Sequence, residues 1–296
     1  MNRSEGWHAR RRKYIGSSDA AAICGVSPYS NAYDVYLQKL GSVSGFEGNE
    51  ATMIGNRLEG PILDMYEART GAGLDFRDFP IVPGDQIHDG PRWAAATLDA
   101  LSGNRIVEVK TAGMVSRLFN SDWGDDGSGD IPVQYIMQAH HQMLTLGRNS
   151  DGIVDVPALI GGMGFRIYHV ERDSEIIEAM RDRLEDFWQC VQSQTPPAGD
   201  PPSVETMKRL ERVEGAVVDV PGELVEQWNE AKRRATAAKK EADELKRAVM
   251  HALGDAEFGD YGDPKKWIEC KEQTRKAFTV SEKTFTTMAL RKRPGA

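Results

Sequence analysis

Residues 93–111 read WAAATLDALSGNRIVEVKT, and how this stretch folds decides the architecture. Two strand-like runs flank Gly103-Asn104, a pair that tolerates positive φ and so supplies a tight turn. Side chains alternate along a strand, so Ile106, Glu108 and Lys110 share one face while Val107, Val109 and Thr111 share the other. Asp99 ends the first run close enough to converge on Glu108. The hairpin then carries two carboxylates and an ammonium on one edge. Such a set suits metal-assisted phosphodiester hydrolysis. Two carboxylates can hold a hard cation such as Mg²⁺, and the cation activates water and neutralises phosphate charge. A lysine beside that water can orient it and offset developing charge. The same spacing also fits an ordinary exposed strand whose Glu and Lys pair weakly.

Working outward, residues 75–82 read as a strand before the hairpin, and residues 152–156 and 164–170 as two strands after it. Helical spacing marks 53–70, with Met53, Ile54, Leu58, Ile62 and Tyr66 as its apolar side. Pro61 predicts a kink or restart near Gly60 in that helix, just after Glu59. Pro132 opens a helix that ends near Leu146, with Tyr135, Gln138 and Gln142 on one face. Its adjacent His140-His141 pair cannot face one ligand, which excludes a metal role. Residues 173–192 form an amphipathic helix. Residues 121–130 (SDWGDDGSGD) are too polar to pack and read as a flexible loop. The pattern is mixed α/β around a short central sheet.

Upstream, Gly16-Ser17-Ser18-Asp19 is a helix start, preceded by the basic run Arg10-Arg11-Arg12-Lys13. Exposed serines after such a run suggest an anion site, and simple capping is the alternative. Downstream, residues 195–203 (TPPAGDPPS) hold four prolines and read as a stiff linker. The predicted domains are therefore 1–194, the linker 195–203, and 204–296. In the last, Leu224, Trp228, Ala231, Ala235, Ala238, Ala242, Leu245, Val249 and Ala252 keep steps of four and three, an a/d heptad pattern. It describes either an intermolecular coil or a helix packed on its own chain. A small sheet over 256–280 and a short helix carrying Phe285, Met288 and Leu290 complete the chain.

The bulk properties set limits. The chain has 296 residues, 40% hydrophobic and 28% charged. No apolar run approaches the roughly 18 residues of a membrane span, and the first residues lack a secretory h-region. Cys24, Cys190 and Cys270 are too scattered for a disulfide framework or metal cluster, and a cytoplasmic location is expected. A net charge of −8 speaks against a nucleic-acid partner. The charge is uneven, however, because Arg291-Lys292-Arg293 repeats the basic run near the N-terminus.

Four blocks taken together, WHARRRKYIGSSDAA, GNRLEGPILDMYEARTG, ATLDALSGNRIVEVKT and PVQYIMQAHHQM, resemble in order the YqaJ-type viral recombinase nucleases. That group is similar to phage lambda exonuclease, within the PD-(D/E)XK superfamily. The resemblance covers residues 7–192. It implies a restriction-endonuclease-like core, a short mixed central sheet flanked by helices, with a long C-terminal helix and small β appendage beyond it. It also implies a deoxyribonuclease digesting double-stranded DNA ends 5′→3′, with Mg²⁺ as cofactor, Mn²⁺ able to substitute, and two ions in the site. Asp99, Glu108 and the Val109 carbonyl match the metal ligands, Lys110 the catalytic lysine, Glu59 a helical glutamate near the metals, and Gln138 the glutamine motif. Arg11 and Ser18, with Arg12 and Ser17 beside them, match residues that hold a DNA 5′ phosphate. Thr97-Leu98 precedes Asp99 where many superfamily members have a proline. Implied partners are a single-strand annealing protein and copies of the chain itself in a ring trimer. The alternatives are a restriction-like endonuclease on the same core and a catalytically weak DNA-end-binding protein.

Overall fold

The computed structural model describes residues 9, 11–43, 48–113, 123–162, 164–210, 213–262 and 267–270. Arg10, the basic run at 291–293 and the predicted last helix lie outside them. The described residues up to 210 form one compact unit, and those of 213–270 belong to a second.

The first unit begins with β1 (Ile15–Gly16), α1 (Ser17–Ile23), α2 (Ala32–Leu40) and α3 (Glu50–Thr70). There follow β2 (Phe76–Ile81), β3 (Ala94–Ser102), β4 (Arg105–Val107), β5 (Lys110–Ala112) and α4 (Val133–Leu146). The unit closes with β6 (Ile153–Ile160), β7 (Gly164–Glu171), α5 (Ser174–Ser193) and α6 (Val204–Lys208). β3 pairs antiparallel with β2 and β4 and parallel with β1. β4 and β5 are successive parts of one extended run, and both lie parallel to β6 in an unchanged register. β7 returns antiparallel along β6. The sheet is thus mixed, as expected.

Each face has its own core. Ile106, Leu98, Met143, Leu144, Tyr168, Met180 and Leu184 belong to the larger one. Ala100, Val107, Val109 and Ile167 meet Ile62, Leu63 and Tyr66 of α3 in the smaller one. The hairpin's alternation is therefore realised: Ile106 faces one core, Val107 and Val109 the other.

Three local expectations are corrected. α3 runs unbroken through Pro61. The proline forfeits one helical hydrogen bond, but Gly60 has no Cβ to clash with the ring in helical geometry. Asn49 caps the start through its side chain, and Gly71 at φ 72° closes the end. Met53 and Ile54 are exposed, so the apolar stripe begins only at Leu58. The acidic loop is not loose over its described part. Gly127 N–H donates to the Ile167 carbonyl, His169 N–H to the Ser128 carbonyl, and Asp126 accepts from Ile167 N–H and pairs with Arg69. The loop lies along β7 because its carboxylates find donors there.

The proline-rich stretch read as a linker lies within the first unit. Asn31 donates to the Pro201 carbonyl and Ser203 N–H to Asp34. In the second unit, α7 (Gly222–Leu253) has no buried residue, and β8 (Phe258–Gly259) pairs antiparallel with β9 (Ile268–Glu269).

The end of α4 is held by close backbone approach. A Cβ on Gly90 would stand 2.5 Å from the Leu144 carbonyl oxygen and 2.8 Å from Thr145 Cα. Gly90→Ala must move the helix or the segment before β3. It should destabilise the protein by about 1–3 kcal/mol, read as a lower urea midpoint at unchanged m-value.

Candidate active site

A cleft of about 780 Å³ opens between α3, α1, α4 and the sheet. Its lining includes Asp99, Glu108, Val109, Lys110, Gln138, Glu59, Arg11, Ser17 and Ser18. Continued one step past the Ala100–Val107 pair, the antiparallel register of β3 and β4 sets Asp99 across from Glu108. Asp99 accepts a hydrogen bond from Val109 N–H at 2.7 Å, which fixes its carboxylate at the hairpin's edge.

Glu108 is buried and is the hub of the site. One of its oxygens accepts from Lys110 Nζ at 2.5 Å and from Gln138 Nε2 at 2.5 Å. The other accepts from Gln142 Nε2 at 2.6 Å. Gln138 and Gln142 are one helical turn apart on α4, so the helix presents two amides to one carboxylate. Gln142 is fully buried, and its Oε1 has no partner among the described residues. Its place on the same face as Gln138 was readable, but a glutamine on a helix is usually solvated.

The electrostatics follow from crowding. Burial raises the Asp99 carboxyl well above its ordinary value, and the neighbouring Glu108 charge raises it further. Lys110 and the Val109 N–H act in the opposite direction. For Lys110, burial favours the neutral amine, but Glu108 and Asp99 outweigh it and the ammonium's pKa is raised. Lys110 also lies 5.0 Å from the centre of the Tyr135 ring. It is a fixed cation, unsuited to take a proton at neutral pH.

These donors fit Mg²⁺. Among the described residues, no three His, Cys, Asp or Glu groups stand together as a ready cage. Glu59 lines the cleft without closing such a cluster. Mg²⁺ characteristically uses one or two carboxylates and takes its other ligands from water and phosphate. Two adjacent buried carboxylates, one driven to hold a proton, are the arrangement such a cation would relieve.

At the other end of the cleft, Arg11 Nη2 donates to Ser18 Oγ at 2.8 Å and to Asp19 at 2.6 Å. Among the described residues of the basic run, Arg11 is the one that lines the cleft. Arg12 is exposed and runs beside Gly41, outside the lining. The two serines divide: Ser18 is exposed, whereas Ser17 is buried, its hydroxyl 3.0 Å from His141 Nδ1. Burial pushes His141 down to about 4, so it is neutral at pH 7. Asp19, Lys39 and His141 are the residues to which sequence reasoning gave no such role, while Gln142 was placed only by the face it shares with Gln138.

Residues 6–149 match the model of the YqaJ-like viral recombinase domain. Over that stretch, just under half of the chain, the sequence is similar to that family. The uncharacterized protein YqaJ of Bacillus subtilis strain 168 is 28% identical over 274 residues, covering 89% of this chain and 82% of that protein. The fold is similar to that of an alkaline exonuclease, LHK-Exo, from Laribacter hongkongensis. The TM-score is 0.52 at 20% identity, over 65% of this chain and 94% of that one. The same protein in complex with dAMP gives a TM-score of 0.51. The chain therefore shares the mixed α/β fold of LHK-Exo, and the hairpin, α3 and α4 that build the cleft all fall within residues 6–149.

The crowded carboxylates carry a stability signature. Asp99 in the folded protein lies above the ordinary 3.8, so the fold retains a proton that the unfolded chain gives up. That contribution is complete below about pH 4 and is lost as pH rises through the folded value. In EDTA, Asp99→Asn should therefore melt higher than the parent at pH 7, with the gap closing towards pH 4. Calorimetry across that range checks it; a variant melting at or below the parent throughout would contradict it.

Proposed function

We propose that this YqaJ-like protein is a Mg²⁺-dependent deoxyribonuclease that digests double-stranded DNA from its ends, 5′→3′, leaving 5′-phosphorylated nucleotides. The observation that carries this reading is the cross-strand Asp99–Glu108 pair, with Lys110 and Gln138 on Glu108, in a cleft whose other end holds Arg11 and Ser18. Asp99, Glu108 and the main-chain oxygen of Val109 would hold Mg²⁺, with Glu59 serving a second ion and Mn²⁺ able to replace either. The bound cation supplies water activation and charge neutralisation at the scissile phosphate. Lys110 orients the attacking water and offsets charge that grows in the transition state. Gln138 turns from Glu108 towards the water or a phosphate oxygen. Arg11, whose planar fork suits phosphate, and the exposed Ser18 hydroxyl receive a terminal 5′ phosphate. Digestion of one strand exposes the other, which would pass to a single-strand annealing protein in recombination. By family resemblance the chain would act as a homo-oligomer, a ring trimer.

The decisive assay compares 5′-phosphorylated linear duplex with covalently closed circular duplex, in Mg²⁺ and in EDTA. Linear DNA should be consumed only with the metal, and circles should survive. Cleaved circles would instead support the restriction-like endonuclease, and binding without cleavage the assembly protein.

Two sets of variants test the roles. Glu108→Gln or Asp99→Asn should lower kcat by about 10²–10³ or more while the fold survives. Lys110→Ala should lower kcat with DNA and metal affinity largely kept, since the ammonium acts on the transition state. Loss of DNA affinity at unchanged kcat would make Lys110 a phosphate anchor.

A further inference from the structure

Besides Ser18, which lines the cleft, Arg11 is held by Asp19 and Lys39, and neither of these belongs to the lining. Asp19 is buried in α1, with one oxygen taken by Arg11 Nη2 at 2.6 Å. Its other oxygen accepts from Lys39 Nζ at 2.6 Å and from Gly16 N–H at 3.0 Å. Lys39, buried in α2, also donates to the main-chain carbonyl of Arg11 at 2.9 Å. The lysine thus fixes the arginine's backbone, and the aspartate fixes its guanidinium. Both Asp19 oxygens are engaged, and the Lys39 ammonium points inward. Arg11, its side chain 35% exposed, is the member of the three that lines the cleft, beside Ser18.

A buried ion pair is a poor source of stability, because desolvation offsets most of the attraction. Replacing such a pair with apolar groups is often neutral. What a buried carboxylate with two cations does provide is direction: the guanidinium fork has one orientation relative to α1. Burial alone would raise the Asp19 carboxyl, but Arg11 and Lys39 hold it far below the ordinary range, so it stays charged throughout the working pH range.

We propose that Asp19 and Lys39 are positioning residues that aim Arg11 at the terminal 5′ phosphate of the DNA, so that discrimination of phosphorylated ends depends on a buried pair that never touches the substrate. The proposal rests on the end-recognition reading above and deepens it. Without Asp19, the Arg11 fork would sample many rotamers, and the entropy of ordering it would fall on each binding event.

The test uses the full chain and two duplexes differing only in a 5′ phosphate or 5′ hydroxyl. Kinetics are measured for the parent, Asp19→Asn, and the double variant Asp19→Asn/Lys39→Met. The double variant removes both buried charges, so the core is not left with an unpaired ammonium if the single variant folds poorly. The ratio of kcat/KM on phosphate to that on hydroxyl ends should fall about tenfold, towards one, with the loss carried by KM on the phosphorylated duplex. In an Arg11→Ala background, Asp19→Asn should change the ratio no further. A merely structural pair would slow both duplexes by the same factor, and that result would overturn the proposal. So would a folded double variant that keeps the parent's ratio. A parent that shows no preference removes the end pocket itself, a failure distinguishable because it appears before any substitution.

Discussion

Two carboxylates that face each other across a β-ladder repel, and burial magnifies the repulsion. Asp99 and Glu108 are set opposite by the register of β3 and β4, and that register is fixed elsewhere, by Val107 and Ile106 entering opposite cores. The sheet cannot slip by one residue to separate them without turning every core residue outward. Much of what surrounds the pair offsets its cost. Lys110 lies two residues along the same face, Val109 N–H is turned onto Asp99, and Gln138 and Gln142 each donate an amide hydrogen to Glu108. A protein with no use for the pair would gain stability by neutralising either member. That it is built around instead is the physical reason to read it as chemistry.

α4 ties the cleft together. Its face towards the sheet delivers Tyr135 to Lys110 and two glutamines to Glu108, while His141, on the adjoining stripe, reaches Ser17 at the start of α1. One helix thus sets both the buried carboxylates and the element that carries Ser18 and Asp19. The close approach of Gly90 to its last turn, and of Asp89 N–H to the Thr145 carbonyl, fixes how far along its axis it sits.

The hairpin and the placing of Asp99, Glu108 and Lys110 in one cleft were legible because two independent signals agreed there: Gly103-Asn104 punctuation and strict alternation around it. The helix boundaries were legible for the same kind of reason, as with Pro132 and Gly147 around α4. What was not legible depended on partners distant in sequence. Asp19 reads as a capping residue, and it does accept from Gly16 N–H, but its larger role needs Lys39 and Arg11 beside it. Ser17 reads as exposed until His141, 124 positions away, is seen to cover it. Residues 123–130 look unpackable by composition and are ordered by backbone donors of β7 and by Arg69. Pro61 reads as a break because it lacks a backbone donor, and that reading leaves out the relief that Gly60, without a Cβ, gives the ring. The heptads of α7 describe an apolar seam correctly without saying what it faces, and none of its side chains is buried.

A net charge of −8 and pI near 5.4 leave this chain little general attraction for a polyanion. Proteins that grip duplex DNA anywhere along its length use many lysine and arginine contacts and release many counterions. An acidic chain with a few fixed cations inside a cleft works differently. Repulsion from the outer surface lowers affinity for internal phosphates, and it is outweighed only where a phosphate penetrates to the held cations. A strand end can enter a cleft of this size more readily than the middle of a duplex, and a terminal phosphate brings more charge and more free oxygens than a diester. On the proposed function, the acidity that first argued against a nucleic-acid partner would act as part of the selectivity. It would weaken the competing internal contacts and leave the few directed contacts around Arg11 to decide where the chain binds.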